Sequence, residues 1–138
     1  METTRSIYQQ GRNYWKKGKA HRVSFIIDAQ AYFKAFVEAV LKAERSVYIT
    51  GWDIDSQLKL LRGDDKPDFP IHLGEFLNYA VRVKPHLHVN ILVWDFSALY
   101  TFKREPLPAW KFRWKTGERV HFRLDKYLPP GASHHQKI

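Results

Sequence analysis

The apolar residues of this chain fall into a few periodic blocks, and each block predicts an element. Between residues 29 and 43, Tyr32, Phe33, Phe36, Val37, Val40 and Leu41 recur at three- and four-residue intervals, the spacing of one helix face. Asp28 stands just ahead of them, where a helix N-cap belongs. A second helical stripe runs through Leu73, Phe76, Leu77, Ala80 and Val81 and stops before Pro85. Strands are expected at residues 22–27, 46–50 and 120–124, where β-branched and aromatic residues cluster or alternate. Residues 89–94 form a nearly continuous apolar run, the pattern of a central strand covered on both faces.

The remaining segments punctuate these blocks. Residues 53–70 read as a long connection, with turn chemistry at Gly63-Asp64-Asp65 and Pro67-Asp68-Phe69-Pro70. In residues 97–116, Ser97 can cap a helix through Leu99, Tyr100 and Phe102, which Pro106 and Pro108 interrupt. Trp110 to Lys115 alternates like a strand, but Trp110 and Trp114 share a helix face, and a helix is the reading taken here. Pro129-Pro130-Gly131 forces a turn, and residues 135–138 begin an extended segment. Residues 1–21 form a basic N-terminal segment in which Tyr14 and Trp15 are expected to dock onto the body. The whole predicts an α/β fold: a mixed, largely parallel sheet with helices on both faces, occupying residues 22–138. In such open sheets the ligand lies beyond the strand carboxyl ends, here Gly51-Trp52-Asp53 and Trp94-Asp95-Phe96.

Composition narrows the function. The 138 residues contain no cysteine, which excludes disulfide scaffolds, thiolate metal sites and cysteine nucleophiles. A hydrophobic content of 44% and aromatic content of 15% are enough to drive collapse, so disorder is not expected. The formal charge of +9 favours anionic partners: phosphodiesters, nucleic acid or an anionic membrane face. No apolar run approaches the roughly 18 residues of a membrane span, and the polar start lacks the apolar middle of a signal peptide. A cytoplasmic or membrane-associated protein is the expectation.

The sharpest candidate chemistry lies at His135-Gln136-Lys137. In an extended strand, positions i and i+2 face the same way, so His135 and Lys137 would converge on one point. A lysine there binds non-bridging phosphate oxygens, and an imidazole can attack phosphorus or move a proton. Asp53 and Asp55 could orient a catalytic histidine or bind a substrate hydroxyl, or serve simply as turn residues; Trp52 could line a pocket or pack in the core. His86 with His88, and His134 with His135, offer imidazole pairs without a third ligand at suitable spacing, so no metal site is assigned. Trp110 to Lys115 could sit at a membrane interface or stack on bases.

The sequence Pro129-Pro130-Gly131-Ala132-Ser133-His134-His135-Gln136-Lys137-Ile138 resembles the first H-x-K-x-x-x-x-D motif of the phospholipase D superfamily, where small residues and a doubled histidine often lead in. Residues 23–33, 43–52 and 89–100 resemble, in order, that family's opening strand and helix, its second strand, and a stretch seen in bacterial members. The resemblance implies a phospholipase D-like fold and a metal-free, cofactor-free displacement at a phosphodiester, with phospholipid the expected substrate. One histidine attacks phosphorus to form a phosphohistidine, and a second, from a second H-x-K motif, protonates the leaving alcohol. Water or another alcohol then releases the product. Carried over, His135 becomes a catalytic histidine and Lys137 the phosphate-binding lysine, with Trp52, Asp53 and His134 as candidate substrate-binding residues. The motif's aspartate would fall four positions past Ile138, and His21-Arg22-Val23 and His86-Leu87-His88 lack the lysine of a second motif. The expectation is therefore an N-terminal portion truncated within its first motif, inactive alone and completed by the remainder of the same polypeptide. Two other readings stay open: a nuclease of the same superfamily, and a non-catalytic basic module that binds nucleic acid or anionic membrane.

Overall fold

The computed structural model describes residues 7–63, 67–95 and 119–129, together with Ala132, His135 and Ile138. Their order is α1 (Asp28–Lys42), β1 (Ser46–Gly51), α2 (Leu73–Val83), β2 (His88–Trp94) and β3 (Val120–Asp125). The three strands form one parallel sheet in the order β1-β2-β3. The fold is mixed α/β, and β1-α2-β2 is a βαβ unit in which α2 carries the chain back to start a parallel neighbour.

Register decides which side chains share a face. Val47, Val89 and Val120 stand in one row, and Ile49, Ile91 and Phe122 in another. These rows belong to the inner face, which packs with Val37 and Val40 of α1 and Phe76, Leu77, Ala80 and Val81 of α2 into a single core. Among the described residues both helices cover this one face, in contrast to the expected coverage of both. The apolar run of β2 misled here: its burial alternates, with Val89, Ile91 and Val93 buried and Asn90, Leu92 and Trp94 only partly so.

Local chemistry explains the helix limits. Asp28 adopts a positive φ of 68°, a region Asp tolerates, and its carboxylate accepts from the Ala31 N–H at 2.9 Å. It thus caps α1 as its sequence position implied. The first turn of α2 is capped by backbone instead: the N–H groups of Leu73 and Gly74 donate to the carbonyls of Leu58 and Ser56, each at 2.9 Å. This seats the connection on α2 so closely that a Cβ at Gly74 would lie 2.9 Å from the Ser56 Cβ. Phe69 from the same connection packs on Phe76 with ring centroids 5.4 Å apart.

The helix carboxyl ends are closed by distant cations. Lys84 Nζ donates to the carbonyls of Val40, Leu41 and Ala43 at the end of α1. Arg119 donates to Val81 and Lys84 at the end of α2. A positive group suits both places, because the last carbonyls lack partners within the helix and carry its negative dipole end.

Two expectations for the N-terminal region are overturned. Residues 22–27 form no strand; Val23, Phe25 and Ile27 are 73%, 93% and 83% exposed. Strand propensity expresses itself only against a neighbouring strand, and the described residues provide none there. Nor does the aromatic pair dock on the body: Trp15 is 83% exposed, while Tyr14 packs edge-on against Tyr8 within the same segment. The readings of residues 97–116, including Trp110 to Lys115, lie outside the described residues.

Candidate functional site at the strand carboxyl ends

Parallel strands place all their carboxyl ends on one side of the sheet, and here that edge gathers aromatic and acidic residues. Trp52 follows β1 and Trp94 closes β2; their rings lie 5.8 Å apart with planes tilted by 42°. Trp52 is 37% exposed and stands outside the buried core. The ladder continues one step past β2, where the Asp95 N–H donates to the carbonyl of Asp125, the last residue of β3, at 3.0 Å.

The acids at this edge shape turns. The carboxylate of Asp53 accepts from the Ile54 N–H at 2.8 Å, that of Asp55 from Gln57 at 2.8 Å, and that of Asp125 from Tyr127 at 3.1 Å. Such bonds satisfy backbone donors where the chain leaves a strand. Gly51 suits the exit from β1, since a Cβ there would stand 3.3 Å from the Asp53 carbonyl oxygen.

The far end of the chain returns to the same edge. Ile138 and Thr50 exchange both backbone hydrogen bonds, at 2.8 and 3.0 Å, the reciprocal pattern of an antiparallel pair. Thr50 is the penultimate residue of β1. His135, which is exposed, lies three residues before Ile138, a span of at most about 11 Å between Cα atoms. Upstream, the Ala132 N–H donates to the Pro129 carbonyl at 3.0 Å. Lys137 and His134 lie outside the described residues.

The histidine pairing differs from the one the sequence suggested. His86 sits in the turn before β2, whereas His88 on β2 meets His121 on β3. The two rings are parallel to within 3°, with centroids 5.7 Å apart and His88 Nδ1 facing His121 Nε2 at 3.5 Å. His121 stands on the outer face of the sheet beside Tyr48, Thr50, Asn90, Leu92 and Arg123, which line an open depression of about 530 Å³. Alternation along β3 could have assigned His121 to a polar face, but not chosen His88 as its neighbour, which depends on register. Among the described residues, no three His, Asp or Glu side chains gather at ligand distance.

No family model matches the chain. A local similarity does exist: over 57 residues, 41% of the chain, it is 35% identical to phospholipase D beta 2 of Arabidopsis thaliana. The chain spans about 6% of that protein's length.

Proposed function

We propose that this chain is part of a phospholipase D-like phosphodiesterase whose catalytic histidine is His135. The observation that carries the reading is the backbone exchange between Ile138 and Thr50, which ties the H-x-K segment to the end of the strand leading into Trp52 and Asp53. The local similarity to a plant phospholipase D supports the same reading.

In this mechanism His135 attacks phosphorus as the bond to the leaving alcohol breaks, and the imidazole carries the phosphoryl group as a phosphohistidine. Lys137 holds the non-bridging oxygens, whose charge grows in the transition state. Asp53 steadies the imidazole, while Trp52 and His134 border the substrate. A second H-x-K motif, supplied from outside residues 1–138, protonates the leaving oxygen and then activates the water or alcohol that releases the product. Phospholipid is the proposed substrate; DNA is the phosphodiester against which it should be compared.

The test combines this chain with polypeptide bearing a second H-x-K motif and measures hydrolysis of phosphatidylcholine, phosphatidylglycerol and DNA. His135→Ala should reduce hydrolysis at least about a thousandfold and abolish acid-labile labelling of the protein by phosphate-labelled substrate. Lys137→Ala should cost about a hundredfold or more. Undiminished turnover by His135→Ala would refute the assignment.

A further inference from the structure

The described residues at the N-terminus combine two properties that rarely coexist on a free surface. Between residues 7 and 27 there is no aspartate or glutamate, while Arg12, Lys16, Lys17, Lys19 and Arg22 all lie within it. The same stretch exposes Trp15, Val23, Phe25 and Ile27, each more than 70% accessible. Isolated exposed apolar residues are ordinary, but a run of them set among cations marks an interaction surface.

Local structure couples the two properties. The Gly11 N–H donates to the Tyr14 carbonyl at 2.8 Å, and Asn13 bonds both Gln9 and Ile7, folding residues 7–14 into a tight turn. Lys17 Nζ then lies 5.4 and 5.0 Å from the ring centres of Tyr8 and Tyr14, and Lys16 Nζ lies 5.9 Å from Trp15. Cation and ring are held together, so a surface that receives one receives the other.

We infer that residues 7–27 are a docking arm for an anionic lipid surface. Cations at the level of the headgroups meet negative phosphates, and tryptophan and tyrosine favour the same depth. Val23, Phe25 and Ile27 enter the acyl boundary, where their apolar area leaves water. Nucleic acid would satisfy the lysines and could stack on Trp15, but it offers nothing to the aliphatic side chains of Val23 and Ile27; lipid uses the whole set. The inference stands apart from the phosphodiesterase reading, since vesicle binding needs no turnover.

The experiment is co-sedimentation of the 138-residue chain with phosphatidylcholine vesicles, with and without phosphatidylglycerol. Binding is expected only when the anionic lipid is present. The Lys16→Glu/Lys17→Glu/Lys19→Glu variant should bind about a hundredfold more weakly, at about fivefold for each cation lost. Phe25→Ser/Ile27→Ser should lose at least about tenfold and become fully salt-sensitive. The unmodified chain gives a second readout: salt should weaken its binding without abolishing it. Equal affinity for both vesicle types would overturn the inference. So would duplex DNA binding that survives Phe25→Ser/Ile27→Ser, or a dimer in analytical ultracentrifugation that the same pair dissolves.

Discussion

Residues 7–27 and residues 73–93 are equally long and both rich in large apolar side chains, yet they end in opposite environments. Phe76, Leu77, Ala80, Val81, Leu87 and Val89 are fully buried, while Phe25 is 93% exposed. The difference is one of period and partnership rather than hydrophobicity. In α2 and β2 the apolar positions repeat at the helical and strand spacings, so one face can be buried at once against a neighbour. In the arm they are crowded at residues 23–27 and scattered elsewhere, and the described residues bring no element against them. Apolar content shows that a segment can be buried; its spacing and neighbours determine whether it is.

The contrast is sharpened by substitutions on each side of it. Leu77→Ala removes a fully buried side chain from the shared core and should lower unfolding free energy by about 2–5 kcal/mol, read from chemical denaturation. Lys84→Met leaves three carbonyls of α1 without their cation and should cost about 1.5–3 kcal/mol in the same assay. Gly74→Ala improves helix propensity yet drives a methyl into Ser56; a net loss of about 1–3 kcal/mol is expected, and Ser56→Gly should restore part of it. Phe25→Ser, on the arm, should change stability by about 0.5 kcal/mol or less. A loss at Phe25 rivalling that at Leu77 would show that the arm belongs to the folded body, and the comparison would fail.

Much of the fold was legible in the sequence. The spacing of Val37 and Val40, and of Phe76, Leu77, Ala80 and Val81, located α1 and α2, and the runs ending at Gly51 and Trp94 located β1 and β2 within a residue or two. The alternation from Val120 located β3. The parallel pairing was foreseen too; what failed were segments whose exposure a particular partner decides. Residues 22–27 have strand composition but no strand beside them, and the apolar run of β2 disguised a half-open face that Asn90 alone betrayed. At the strand carboxyl ends the residue types were legible but their neighbours were not. The Asp53 carboxylate accepts from the Ile54 N–H, a bond to its own chain neighbour, whereas Trp52 meets Trp94, which lies 42 residues away. The sequence marked residues 135–138 as extended, yet nothing in it named Thr50 as the residue Ile138 would meet.

The two cationic helix closures also impose an order in time. The carbonyls that end α1 wait for Lys84, 41 to 44 residues later in the chain, and those that end α2 include Val81, which waits for Arg119, 38 residues later. In a chain emerging from the ribosome these closing contacts become available only after the helix they close has been made. Each closure is made by a later segment returning to an earlier one, so these fastenings are added in backward steps along the chain.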